Sequence, residues 1–445
     1  MASAAEQLAA NMNFSSFAKA KELQQRILFT IGILIVYRIG TYVPIPGIDP
    51  VTYAAMFQQN AGGLMSWFNT LGGGAIERMA IFALNVMPYI SASIIMQLMA
   101  ASIPTLEKLK KEGGEAGRKQ INQYTRYLTV VLATLQATAI AIGMNSPNPD
   151  GSTLALEPGL FFVVSTVTTL VGGTMLLLWL GEQITARGIG NGVSLIIFAG
   201  IIAAVPSLIG GGLSASASTG NFLPLLMGFT IVVGFLILVV FVERSQRRLI
   251  VQYPKRQQGN RMVGGDTSFL PLKLNTAGVI PPIFASSLLL LPATALGFQA
   301  QSGPDWLQNL VVYLQPGAPI FLVIYGAMII FFCFFYTSIV FNPEDTADNL
   351  RKYGGFLPGI RPGKRTAEHI DFVQSRLTAI GAIYLTFICV VPMMMGGGAA
   401  AALGGTSILI VVSVTMDTIS QIQSHLLAHQ YEGLIKKSKL RGRKR

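Results

Sequence analysis

The sequence predicts an all-α polytopic membrane protein with ten transmembrane helices, and three observations carry that prediction. Of its 445 residues 51% are hydrophobic and only 12% charged, with a mean hydropathy of +0.55, whereas a soluble protein carries about 25% charged residues. The apolar residues gather into runs of about 20, the length that crosses a hydrocarbon core. The basic residues, finally, fall almost entirely into alternate connecting segments. So little polar surface excludes a soluble enzyme of this size.

Taken in order, the chain opens on a polar segment, 1–23, containing Glu6, Lys19, Lys21 and Glu22. It has no apolar core followed by a cleavage site, so no signal peptide is expected. Ten apolar runs follow, near 24–43, 79–101, 125–143, 160–180, 192–210, 222–242, 275–296, 318–341, 376–395 and 403–423. Segment 44–78 begins Pro44-Ile45-Pro46-Gly47 and contains Gly72-Gly73-Gly74. It is too polar to span and too apolar for an ordinary loop, so a re-entrant element is expected. Segments 243–274 and 342–376 are longer than a hairpin needs, and the tail 424–445 is basic.

The charge map orients the chain. Segments 1–26, 102–126, 181–191, 243–274, 342–376 and 424–445 hold 30 of the 32 Lys and Arg, leaving only Arg38 and Arg78 elsewhere. By the positive-inside rule these segments and both termini face the cytoplasm. The net charge of +12 is then topological and does not argue for DNA binding. Two clusters stand out: Arg244, Arg247, Arg248, Lys255, Arg256 and Arg261 in one loop, Arg351, Lys352, Arg361, Lys364 and Arg365 in another. They suit either anionic membrane lipids or a large negatively charged partner.

A short internal repeat points to two halves. Pro88-Tyr89-Ile90-Ser91-Ala92-Ser93 in the second run agrees at four of six positions with Pro281-Pro282-Ile283-Phe284-Ala285-Ser286 in the seventh. A repeat five spans apart places the halves in opposite topology.

Chemistry is scarce. Gly188-Ile189-Gly190-Asn191-Gly192 follows no strand and misses nucleotide-binding spacing, so it reads as a tight turn. Cys333 and Cys389 lie inside apolar runs, and His425 and His429 have no third ligand of suitable spacing. No catalytic constellation, metal or cofactor is expected. The spans lack the mid-membrane charge that couples a carrier to ions, Arg38 and Asp417 lying near span ends. A secondary transporter of a small solute is therefore the alternative. The span interiors offer instead Val86, Ile90, Val193, Ile197, Ile283 and Ile410, which on their own read as lipid-facing or packing residues.

Several ordered motifs carry a family resemblance. They are Tyr37-Arg38-Ile39-Gly40-Thr41-Tyr42-Val43-Pro44-Ile45-Pro46-Gly47-Ile48-Asp49, Met87-Pro88-Tyr89-Ile90-Ser91-Ala92-Ser93, and Gly181-Glu182-Gln183-Ile184-Thr185. Leu270-Pro271-Leu272-Lys273-Leu274-Asn275, Pro358-Gly359-Ile360-Arg361-Pro362-Gly363 and Gly404-Gly405-Thr406-Ser407 follow. Together they resemble the SecY family, the central subunits of bacterial Sec protein-translocation channels, over about residues 20–435.

The resemblance implies two inverted five-helix halves, 24–210 and 211–423, around a central pore whose lateral gate is formed by spans two, three, seven and eight. Val86, Ile90, Val193, Ile197, Ile283 and Ile410 match the family's pore ring, and about 62–76, with Trp67, Phe68 and Gly72-Gly73-Gly74, matches its plug. Ser91, Gln97 and Asn275 are expected to pair with one another, or with water, in the shut gate. Arg256 and Arg361 are expected to dock the ribosome or the SecA ATPase. Implied partners also include SecE-like and SecG-like small subunits, signal sequences and nascent chains, and the implied site is the bacterial cytoplasmic (inner) membrane. Asn85 departs from the pattern, standing where the family often has Gly.

Overall fold

The computed structural model describes residues 21–49, 53–54, 69–70, 72–145, 155–254, 256–258, 261–263, 267–299, 318–394 and 405–442. Ten helices correspond to the ten predicted spans. They are α1 Lys21–Gly40, α2 Met87–Ser102, α4 Gly114–Asn145, α5 Leu160–Arg187, α6 Gly192–Thr219, α7 Leu223–Arg244, α8 Ile280–Gln299, α9 Pro319–Val340, α11 Lys364–Met394 and α12 Gly405–Gly442. Two short helices complete the set, α3 Pro104–Glu112 and α10 Pro343–Lys352. Eight helical segments are long and apolar enough to span alone, and α2 joins them through a 103° bend into α3. α8 is the shorter apolar member, counted over Ile280–Leu289.

The chain divides into two compact units. One holds residues 1–92, 125–209 and 410–445, the other 93–124 and 210–409, so the divisions fall within α2, α4, α6 and α12.

In the first unit, hydroxyls that would otherwise sit unsatisfied in an apolar helix bond back to the preceding turn. Thr168, Thr169, Thr174 and Thr185 of α5 donate to the carbonyls of Val164, Ser165, Leu170 and Gly181 at 2.6–3.0 Å. The Gly188–Gly192 stretch is a turn, as its composition predicts. Gly190 has φ +86°, its N–H donates to Gln421 Oε1 of α12 (2.8 Å), and Ile189 N–H donates to Thr30 Oγ1 of α1 (3.2 Å). Leu23, Ile189 and Leu426 form a small apolar core around it.

The second predicted span starts later than its hydropathy suggests. Residues 72–86 are turns, because their backbone is spent elsewhere. Ile45 N–H donates to Met79 O (3.0 Å) and Ile81 N–H to Val43 O (2.9 Å), forming a bridge between Pro44 and Ala80. Helix α2 begins only at Met87, with Pro88 in its first turn, where its missing N–H costs nothing. The repeat has the same register in α8: Pro88 and Pro281 are second residues of their helices, and Ile90 and Ile283 fourth.

Asn85 explains its own departure from the family. Its φ is +50°, a left-handed conformation open to Gly and, at modest cost, to Asn. Its Oδ1 accepts the N–H of Val86 at 2.8 Å.

In the second unit, α9 packs between α8 and α11, with Tyr325 bonded to Thr406 (3.2 Å) and Phe284 set edge-on to Phe332 (5.9 Å). The basic loop after α7 holds strands the sequence reading had not foreseen: β1 Gln246–Gln252, β2 Arg256–Gln258, β3 Arg261–Val263 and β4 Thr267–Lys273. β1 pairs antiparallel with β4 from Gln246↔Lys273 to Gln252↔Thr267, and β2 pairs with β3. Gln252 also exchanges two backbone bonds with Phe356 of the other basic loop, at 2.9 and 3.0 Å. Leu249, Leu272, Leu357 and Ile370 close a common core beneath.

Replacing Asn85 by Val is expected to cost about 1–2 kcal/mol, because a β-branched residue enters a left-handed dihedral. Asn85→Gly keeps the dihedral and loses the side-chain bond to Val86, so its melting temperature should fall between those of wild type and Asn85→Val. Thermal unfolding of the purified protein checks that order.

Candidate functional site

The six aliphatic positions share one local feature, a place close to the start of a helix. Val86 immediately precedes α2, and its carbonyl accepts the N–H of Ile90 at 3.1 Å, closing the first turn of the helix. Val193 and Ile197 are an i, i+4 pair at the start of α6, Ile283 lies in the first turn of α8, and Ile410 lies in the second turn of α12. Val86, Ile90, Ile197 and Ile410 are buried, and Val193 and Ile283 half-buried. By contrast Ile31, Ile35 and Ile39 of α1 are 47%, 55% and 61% exposed. The lipid-facing reading of the buried four is thus excluded.

Segment 69–80 sits against α1. The Asn69 amide donates to Glu77 Oε2 (3.2 Å), and Asn69 Oδ1 accepts the N–H of Glu77 (2.9 Å). Tyr37 OH donates to Gly72 O (3.3 Å) and Arg38 Nη1 to Gly73 O (2.6 Å). Gly73 and Gly74 have φ +64° and +84°, a left-handed conformation that favours glycine. A side chain on Gly73 would also meet the Arg38 guanidinium and the backbone of Gly200. Trp67 and Phe68 lie outside the described residues. Nearby, burial pushes the Tyr53 phenol up to about 12, because an apolar surrounding disfavours the phenolate.

Of the three polar residues expected at a lateral gate, Gln97 and Asn275 have local partners. Gln97 donates to Ser93 Oγ (3.3 Å), and Ser91 is buried. Asn275 donates to Glu243 Oε1 (2.7 Å) and Gly278 O (3.1 Å), and its Oδ1 accepts the N–H of Gly278 (3.0 Å). Asn275 thus closes the turn that leads into α8 and ties it to the last turn of α7, where Glu243 lies. Next to it, Gln374 of α11 donates to Thr276 Oγ1 at 2.6 Å. Sequence reasoning missed Glu243 and Gln374. The available signal was a carboxylate on the last turn of a strongly apolar helix.

Of the two residues expected to dock a partner, Arg361 is exposed in a turn shaped by Gly359 (φ +81°) and Gly363 (φ +110°). Its carbonyl accepts Thr366 Oγ1 (2.9 Å), while its neighbour Ile360 packs into the core below. Arg351, Lys352, Lys364 and Arg365 are exposed around it. Arg256 stands on β2. The β1–Phe356 bridge makes the two basic loops one scaffold, which spacing along the chain could not reveal.

Comparison with known proteins places these features in a family. The SecY family profile matches residues 80–419. The chain is 52% identical over 436 residues to a protein of Rickettsia bellii named protein translocase subunit SecY, covering 97% of this chain and 100% of that one. A solved structure described as that of a protein conducting channel shares the fold, with TM-score 0.66 and 19% identity over 90% of this chain and 92% of the other. So does Sec61 in the canine ribosome-channel complex from the endoplasmic reticulum, with TM-score 0.62, 19% identity and the same two coverages. With motifs, helix order and a near-full-length relative in agreement, the chain belongs to the SecY family.

Proposed function

We propose that the chain is a protein-conducting channel. It passes unfolded secretory polypeptides across the bacterial cytoplasmic membrane and releases signal sequences and transmembrane segments sideways into lipid. The observation that carries this reading is the burial of Val86, Ile90, Ile197 and Ile410 at helix starts, while Ile31, Ile35 and Ile39 of α1 face outward. It is supported by 52% identity to a protein translocase subunit.

The chemistry suits the task. A narrow aliphatic ring holds no ordered water and blocks ions by dewetting. Its side chains yield to a sliding chain without binding any one residue type. Val193 and Ile283, half-buried, complete the ring in this reading. The two inverted halves, 24–210 and 211–423, enclose the pore, and about 62–76 is its plug. Ser91, Gln97 and Asn275 lie on the lateral gate, where an apolar signal core competes with polar helix contacts.

No nucleotide site is visible in the sequence, so another molecule supplies the energy. The basic scaffold of the two loops faces the cytoplasm, as do both termini, and receives the SecA ATPase or the ribosome. Arg361 suits phosphate or carboxylate because its planar fork grips two oxygens at once. SecE-like and SecG-like subunits complete the assembly in the membrane.

Three outcomes test the reading. Ile197→Asn should make reconstituted vesicles leak ions at rest, measured by dye or conductance; tight vesicles, or solute uptake in place of a leak, would refute the ring. Asn275→Leu removes the bonds to Glu243 and Gly278 and should change which weak signal sequences are accepted, read in a secretion assay. Arg361→Glu should cut partner binding about tenfold in a pull-down, the loss of a charge-assisted contact of about 1.5–3 kcal/mol, while membrane insertion stays normal.

A further inference from the structure

Two side chains of α1 carry a role that the resemblance does not assign. Among the 32 basic residues, Arg38 and Arg78 alone lie outside the basic connecting segments, and both converge on the glycine turn. Arg38 Nη1 donates to Gly73 O at 2.6 Å, and Arg38 Nη2 to the hydroxyl of Tyr42 at 3.0 Å. Arg78 stacks over the Tyr42 ring at 4.1 Å. One helical position earlier, Tyr37 is fully buried, stacks on Phe82 (6.1 Å) and donates to Gly72 O at 3.3 Å. Two consecutive side chains therefore hold two consecutive carbonyls.

These two bonds run from side chains of α1 to the segment, whereas the Asn69–Glu77 pair lies within it. The Pro44–Ala80 bridge and the Val43 and Ile45 bonds are backbone pairs that anchor the end of the segment next to α2. Tyr37 and Arg38 instead reach the apex of the turn, where the left-handed Gly73 and Gly74 make the backbone easiest to re-fold. Breaking the two side-chain bonds removes the hold of α1 on the apex, leaving the anchored end and the bonds within the turn, Gly73 N–H to Thr70 O (3.2 Å) and Gly74 N–H to Asn69 O (2.9 Å), in place. The short bond from Arg38 is charge-assisted and is the stronger of the two.

We infer that Arg38 and Tyr37 form a latch that positions the plug turn in the closed channel, and so set how readily the channel opens. The inference rests on the plug reading of about 62–76 given above. The latch has two unequal members: a guanidinium that supplies most of the hold, and a buried phenol that supplies register. Loss of a charge-assisted bond shifts a two-state equilibrium by at least about tenfold, so Arg38→Met should raise the population of released turns by about that factor. Tyr37→Phe keeps the stacking on Phe82 and removes only the long hydroxyl bond, so the rise should be smaller. Arg38→Lys keeps the charge and one donor and should restore most of the hold.

The test uses the full-length protein in its native membrane assembly, reconstituted in vesicles and carrying Thr70→Cys. Thr70 is buried in the turn, and the native Cys333 and Cys389 are buried as well, so labelling by a water-soluble maleimide reports release of the turn. Resting ion permeability is measured on the same vesicles. The expected result is about tenfold faster labelling and raised permeability in Arg38→Met, a smaller rise of both in Tyr37→Phe, and near-parental values in Arg38→Lys. Unchanged labelling in Arg38→Met and Tyr37→Phe overturns the latch and leaves the plug reading standing. Faster labelling with unchanged permeability overturns the plug reading, and the gating role of the latch with it.

Discussion

Wherever this chain leaves the helix, its backbone must find hydrogen-bond partners within a molecule that has few polar side chains to offer. That requirement organises the structure. In segment 72–86, Gly72 and Gly73 are held by Tyr37 and Arg38, and Met79 and Ile81 by the backbone of Ile45 and Val43. At the turn between α5 and α6, Gln421 and Thr30 accept the two N–H groups the turn exposes. At the entry to α8, Asn275 closes the turn with its own amide. Inside the helices, threonines such as Thr129, Thr168, Thr169 and Thr174 bond to their own backbone.

The same economy bears on the proposed channel. Aliphatic side chains at the starts of α2, α6, α8 and α12 need no partner, so a ring built from them leaves nothing unsatisfied whether it is shut or spread. Polar groups are kept where the chain turns: the Gly72–Gly74 turn, the base of α8, and the Gly188–Gly192 turn that meets α1 and α12. The basic loops solve a different problem. The β1–β4 ladder, the Phe356 bridge and the core around Ile370 give exposed arginines a stiff base, so less conformational freedom is lost when a partner binds.

Much of the fold was legible from one dimension. Ten apolar runs became ten helices, and the six-residue repeat recurs at the same register in α2 and α8. The glycines at 72–74 and 188–192 mark real turns, because positive φ at Gly73, Gly74 and Gly190 leaves no other residue so free. Other features were not legible. Hydropathy drew the second span from about residue 79, yet the helix waits for Met87, since bonds to Val43 and Ile45 hold the preceding backbone in turns. The strands of the basic loop are short and polar, and pairing rather than pattern defines them. Asn275 is expected from sequence to pair with Ser91 and Gln97, or with water, in a shut gate, but sequence could not name the bonds it makes to Glu243 and Gly278.

The sequence by itself determined what this protein is made of: spanning helices, a one-sided distribution of charge, and aliphatic positions free of ionisable groups. Burial of apolar area and avoidance of charge in hydrocarbon are local, additive demands, and composition records them. The tertiary structure decided which polar group meets which: Arg38 with Gly73, Asn275 with Glu243, Gln252 with Phe356. A hydrogen bond depends on a few tenths of an ångström between residues 32 to 104 positions apart in the chain, and only the folded chain sets those distances.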